Sequence, residues 1–232
     1  MKYDQHFLID EKVIQRTIKE ANLKKSDTIL EIGPGKGILT KELTKKSKVI
    51  AIEIDENLKL NIKNLKLIHG NALKLINKVN FNKIISNIPY SITEPLFKKL
   101  FKKDFDLGIL LIGKNFYDLI QQDSKWSIII PEFFKVIKLM EVPKASFEPR
   151  PRTTSVLIKL TPKKKNKVIH KLILQSDKKL KNALLKIYWD SNLTKKQAKE
   201  KIESLSIPES ILEKNLDYLS NKQFELVYKQ IS

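Results

Sequence analysis

Short β-branched runs recur along the first 160 residues, separated by stretches whose apolar positions fall three or four apart. Strands and helices that alternate in this way build a parallel α/β sheet. The pattern predicts strands at residues 28–32, 48–53, 66–69, 83–86, 107–112, 136–141 and 155–160. Between them, Glu11–Ala21 places Val13, Ile14, Thr17, Ile18 and Ala21 on one helical face, with Asp10 positioned to cap its start. No helical pattern separates the last two strands, so an antiparallel pair is expected to close the sheet.

The lysine run at 163–167 interrupts this alternation, and the chain beyond it reads as helix, at 183–188, 195–205 and 211–219. Pro208 stands near a helix start, where its missing N–H costs little. Two domains are therefore expected, residues 1–162 and residues 163–232. No internal repeat or long low-complexity segment is present.

Charge sharpens the picture. The 232 residues carry 45 basic and 26 acidic side chains, a net charge of +19. An excess of that size suits a polyanionic partner, nucleic acid ahead of an anionic membrane surface, because each neutralised phosphate releases counterions. A lysine-rich solvated surface is the bland account of the same number. The helical tail is the more densely basic part, with 16 lysines against 8 acids in 70 residues. Only Arg16, Arg150 and Arg152 are arginines, so two fall within three residues of one another. With no cysteine and three scattered histidines, neither disulfides nor a zinc site is expected. No apolar run of transmembrane length exists and the first residues lack a signal-peptide core, so a soluble cytoplasmic protein is the expectation.

Two stretches carry candidate chemistry. Glu31-Ile32-Gly33-Pro34-Gly35-Lys36-Gly37 lies where the first strand meets the next helix, and its glycines let the backbone turn tightly against a ligand. The next strand ends on Glu53, placed to accept hydrogen bonds from ribose hydroxyls. Ile38 and Leu39 replace the Lys-Ser/Thr of a nucleotide-triphosphate loop, and Gly37 comes one residue early for a dinucleotide fingerprint. A nucleoside cofactor without a pyrophosphate, such as S-adenosylmethionine, fits better; a purely structural turn remains the alternative. Glu31 either holds this loop through backbone hydrogen bonds or touches a ligand. The second stretch, Asn87-Ile88-Pro89-Tyr90, ends a strand on an amide, a proline and an aromatic, which makes either an ordinary turn or a pair of fixed acceptors beside a stacking ring.

In their order and spacing these motifs make the chain resemble the ribosomal RNA adenine dimethyltransferases, which doubly methylate adjacent adenines near the end of small-subunit ribosomal RNA. The resemblance also takes in Gln5-His6-Phe7-Leu8, Asp55, His69-Gly70-Asn71-Ala72-Leu73, Phe147-Glu148-Pro149-Arg150-Pro151, and the closing residues Leu216-Asp217-Tyr218-Leu219-Ser220, Phe224 and Tyr228. It implies a Rossmann-like seven-stranded methyltransferase sheet with a small C-terminal all-helical domain, and a monomer that meets ribosomal RNA in the small subunit or its precursor during ribosome assembly. S-adenosylmethionine is the implied cofactor, held by His6, Leu8, Gly33, Gly35, Glu53, Asn71 and Asn87, with no metal. The side-chain oxygen of Asn87 and the carbonyl of Ile88 or Pro89 would accept the hydrogens of the target amine, and Pro89 would stiffen the turn that holds them. Tyr90 and Phe147 would stack on the extruded base, and Arg150 and Arg152 would meet the neighbouring phosphates. A solvated loop is the alternative for the two arginines.

The chain departs from the family pattern at three places. Asn71 stands where an aspartate is usual, His6 where asparagine is more frequent, and the segment at 113–118 replaces a glutamine-lysine-glutamate stretch. Asn71 and the altered segment keep open an RNA-binding assembly factor with weak or lost activity, and the Asn-Pro-Tyr type motif keeps open another amine methyltransferase, acting on DNA or on protein glutamine.

Overall fold

A computed structural model of the chain describes residues 5–164 and 167–231; the opening residues, and Lys165 and Asn166 of the lysine run, lie outside the described part. The chain divides into two compact units. The first runs to Asp118 and takes up again at Phe134–Pro162; the second joins Leu119–Phe133 to the residues from Lys163 onward.

The first unit begins with a short strand β1 (Phe7–Leu8) and helix α1 (Glu11–Ala21). Asp10 caps α1 by accepting the N–H groups of Lys12 and Val13 at 3.0 and 3.4 Å, and Asn22 ends it in the left-handed conformation. Its buried face is the one the spacing predicts. There follow β2 (Thr28–Ile32), α2 (Ile38–Thr44), β3 (Lys48–Glu53), β4 (Leu65–His69), α3 (Ala72–Leu75), β5 (Lys83–Asn87), α4 (Thr93–Leu100), β6 (Leu107–Gly113), α5 (Lys114–Gln121, which runs on into the second unit), and, after a second-unit helix α6 (Lys125–Phe133), β7 (Phe134–Val142), β8 (Phe147–Glu148) and β9 (Ser155–Pro162).

Seven strands form one sheet in the order β4-β3-β2-β5-β6-β9-β7, in which β9 runs opposite to the other six. All seven lie where the hydrophobic pattern predicts, and β7 and β9 form the expected antiparallel closure. The inner strands β2, β5 and β6 are buried almost throughout, as strands covered on both faces of a sheet should be. From β2 the chain steps outward through β3 and β4, then returns to the other side of β2 for β5 and β6. The strand order therefore reverses between β2 and β5, and the crevice beyond their carboxyl ends is where such sheets bind ligands.

One buried ion pair anchors the opposite end of β5. Lys83 Nζ lies 2.8 Å from Asp27 and also donates to the carbonyls of Ala21 and Asn22, at 3.0 and 2.8 Å. Burial works against the Asp27 charge, but the bonds from Lys83 and Asn82 more than offset it and leave the carboxyl below its usual range.

The second unit contains α6, α7 (Val168–Ile173), α8 (Leu180–Trp189), α9 (Lys195–Glu203), α10 (Glu209–Leu212) and α11 (Asn221–Ile231). Glu132 is its polar junction, accepting from the Tyr228 hydroxyl at 2.8 Å and pairing with Lys167 at 3.2 Å. The helix expected over 211–219 is instead broken. Leu180 N–H donates to the carbonyl of Lys214 and the Asn215 amide donates to that of Asp177, which draws residues 214 and 215 into an extended bridge with Lys179. No helix among the described residues is long and apolar enough to cross a membrane.

Candidate active site

The glycine loop after β2 turns on three positive φ angles, at Gly33 (66°), Gly35 (54°) and Gly37 (75°). Gly35 also has a steric reason to lack a side chain, since a Cβ there would lie 2.6 Å from the ring of Phe7. What holds the loop is Glu53, at the end of the neighbouring strand. Its Oε2 accepts the N–H of Gly35 at 3.1 Å and its Oε1 that of Asp55 at 3.0 Å, and each oxygen keeps a lone pair for a further donor.

Glu31 does not hold the loop. Its carboxyl is buried, Oε2 has no hydrogen-bond partner among the described residues, and the side chain lines the cleft. Burial pushes this acid up to about 8, and the nearby charge of Glu53 adds to the rise. A buried, unpaired carboxyl facing a cleft is suited to a ligand that brings a positive charge.

Across the crevice, β5 ends at Asn87. Its Nδ2 donates to the carbonyl of His6 at 2.9 Å, which orients the amide and leaves Oδ1 as the acceptor on offer. Ile88 N–H continues the ladder to Leu111, so the chain stays sheet-like up to Pro89. Pro89 then directs Tyr90 back toward the sheet, where its hydroxyl bonds that of Ser155. The Tyr90 ring stacks on His6 with centroids 5.9 Å apart and an interplanar angle of 30°. His6 in turn is fixed by Nδ1, which must carry a proton because the Pro149 carbonyl 2.9 Å away can only accept.

Strand pairing brings the ends of this unit to the crevice. Phe7 and Leu8 pair antiparallel with Glu148 and Phe147. Of the residues expected at the site, His6, Leu8, Gly33, Gly35, Glu53, Asn71, Asn87, Pro89 and Tyr90 line one cleft. Phe147 does not. It is 2% exposed, packed in the core with Leu8, Val142 and Leu157, so as it lies it cannot stack on a base. Its place in the site is indirect, as the strand partner that seats Leu8. Arg150 and Arg152 are exposed and also lie outside the lining, on the segment whose Pro149 carbonyl holds His6. Asn71 lines the cleft and also caps α3, its Oδ1 accepting Leu73 N–H at 2.9 Å, so it has its amide donors and one oxygen lone pair left to offer.

The structure adds residues the sequence did not single out. Phe7, Lys36 and Ile54 line the cleft, with the Lys36 ammonium 5.1 Å from the Phe7 ring centroid and Ile54 46% exposed. Gly113 opens the segment that departs from the family pattern, and its missing side chain leaves room for Tyr90: a Cβ would lie 3.3 Å from that ring. An isoleucine directly after Glu53, beyond the end of its strand, was the one signal open to inspection; the others depend on contacts far apart in sequence.

Comparison with known proteins points one way. The family model described as "Ribosomal RNA adenine dimethylase" matches residues 1–229. The chain is 32% identical to a probable ribosomal RNA small subunit methyltransferase A of Methanococcus aeolicus, over 99% of this chain and 93% of that protein. It is 34% identical to the protein so named from Methanosarcina barkeri, over 99% and 86%. Among solved structures, a dimethyladenosine transferase from Plasmodium falciparum superposes with a TM-score of 0.65 at 27% identity, covering 96% of each chain. The 23S rRNA methyltransferase ErmE shares the fold, with a TM-score of 0.61 at 17% identity over 97% of this chain and 99% of that one.

Proposed function

The chain belongs to the ribosomal RNA adenine dimethylase family, and from that membership and the cleft we propose that it transfers two methyl groups from S-adenosylmethionine to the N6 amine of adenines in small-subunit ribosomal RNA. The observation that carries this reading is Asn87, whose amide is locked by His6 so that Oδ1 is presented at the strand-order reversal, opposite the glycine loop.

The cleft fits the cofactor. The unpaired Glu31 carboxyl suits its cationic end, the remaining lone pairs of Glu53 suit ribose hydroxyls, and exposed Ile54 with the Asn71 amide suits the adenine. When bound, S-adenosylmethionine supplies an electrophilic methyl group and leaves as S-adenosylhomocysteine.

The rest falls to the protein. The lone pair of an adenine amine is delocalised into the ring and is a poor nucleophile until its hydrogens are held. Asn87 Oδ1 accepts one of them. The Pro89 carbonyl already accepts both Ile92 N–H at 3.1 Å and the Thr93 hydroxyl at 3.4 Å, so the carbonyl of Ile88 is assigned the second. In the first transfer both hydrogens are held, and in the second the one that remains, so that the lone pair is directed at the methyl carbon, a contribution of preorganisation rather than of acid–base strength. Tyr90, braced by Ser155, His6 and the space at Gly113, stacks on the base. Stacking of this kind is worth roughly 1–3 kcal/mol, enough to offset much of the few kcal/mol needed to unstack a nucleotide. Each transfer forms one N–C bond, breaks one S–C bond and releases one proton. The alkylated amine is acidic enough to lose that proton to water, so no general base is assigned.

Arg150 and Arg152 are proposed as phosphate contacts beside the target, and the protein as a cytoplasmic monomer acting on the small subunit or its precursor. Mass spectrometry of small-subunit ribosomal RNA treated with protein and S-adenosylmethionine tests the reading. Dimethyladenine is expected; cofactor and RNA binding with no methylated adenine would overturn it.

A further inference from the structure

Trp189 is the last residue of α8 and is 64% exposed. An isolated exposed aromatic means little, but this one stands at the tip of a helical hairpin whose turn, through Asn192 at φ 68°, leads directly into α9. The first turn of α9 carries Lys195 and Lys196 and no acid. The helix dipole disfavours cations there, and the start of the helix is already satisfied by a capping box between Thr194 and Gln197. Lys195 therefore contributes nothing to the helix that a neutral residue would not. Residues 186–201 hold five lysines and two acids. Both acids are engaged, Asp190 with Lys186 at 3.4 Å and Glu200 with Lys196 at 4.0 Å. Lys195 and Lys199, one turn apart on the exposed side, have no ion pair among the described residues.

We propose that the tip of the α8–α9 hairpin is an RNA-contacting surface, with Trp189 stacking on an unpaired base and Lys195 and Lys199 neutralising flanking phosphates. The inference rests on the reading that the substrate is RNA. Uncompensated cations beside an aromatic face are the combination that binds unpaired strands. A membrane surface fits less well, because the apolar residues of α9, Ala198 and Ile202, are buried and leave no apolar face to insert.

The two tryptophans make the test direct. Trp126 is 4% exposed, so fluorescence changes on ligand addition report chiefly on Trp189. Adding transcribed small-subunit ribosomal RNA to the full-length protein, without cofactor, is expected to quench this emission. Trp189→Ala should weaken RNA affinity roughly 5- to 100-fold, with Trp189→Phe recovering most of it. Lys195→Glu combined with Lys199→Glu should lower the slope of log affinity against log salt by about two. Wild-type affinity and salt slope in both variants would overturn the proposal, as would quenching by phosphatidylserine vesicles but not by RNA. Dimethyladenine is measured on the same preparations: its absence with the RNA response intact counts against the proposed function and leaves this surface standing.

Discussion

The side chain of Asn87 is oriented by the main chain of His6, 81 residues earlier, through a single 2.9 Å hydrogen bond. An amide at the end of a buried strand could otherwise present either its donor or its acceptor. The bond assigns the donor to the protein and the acceptor to the cleft.

Asn87→Ala removes that acceptor without touching the basic surfaces. It should lower kcat by about 100- to 1,000-fold, the usual cost of losing one preorganised partner, with RNA affinity nearly unchanged. Single-turnover methyl transfer and an RNA titration measure the two quantities; an equal loss in both would contradict the assigned role.

Gly35→Ala places a methyl group in a left-handed turn and within 2.6 Å of the Phe7 ring. The turn alone costs about 1–2 kcal/mol, equivalent to roughly a five- to thirtyfold loss of S-adenosylmethionine affinity if the loop relaxes by leaving its cradled shape. Calorimetry of cofactor binding reads this out, and undiminished affinity would show that the loop does not shape the cofactor site.

Glu31 links stability to pH. Its folded value of about 8 lies above the ordinary 4.5, so the folded state holds this proton more tightly than the unfolded chain does. The resulting stability is complete below pH 4.5 and is lost as pH rises through about 8. The loss approaches about 1.4 kcal/mol per pH unit within that window. Glu31→Gln should flatten the dependence, so that denaturant midpoints of variant and parent diverge between pH 5 and 8. Parallel curves would mean that Glu31 is ionised in the fold.

Lys83→Ala leaves Asp27 and two main-chain carbonyls without their cation, far from the cleft. A loss of about 3–5 kcal/mol in unfolding free energy is expected, while the Kd for S-adenosylmethionine is retained below the lowered transition temperature. In the parent, the contribution of Asp27 is present above its ordinary 3.8 and fades as pH falls below it, because its carboxyl is held low. Chemical denaturation at pH 7 and pH 3 measures both effects.

Much of this architecture is written locally. Periodicity placed all seven strands and α1, because an inner strand must be apolar on both faces and a half-buried helix on one. The glycine loop, Glu53 and Asn87–Tyr90 were legible for a similar reason: each ends a strand, where an open sheet leaves its ligand sites. Other features depend on partners that periodicity does not register. The break at 214–215 follows from bonds to Lys179, Leu180 and Asp177, not from any weakness in the helical pattern. Leu119–Phe133 belongs to the second unit although strands of the first flank it on either side in sequence. That Glu53 rather than Glu31 holds the glycine loop, that Phe147 is core rather than stacking surface, and that Gly113 makes room for Tyr90 were decided by tertiary structure alone. A residue type states which bonds it can make; which of them is still available to a ligand depends on what the folded chain has already used.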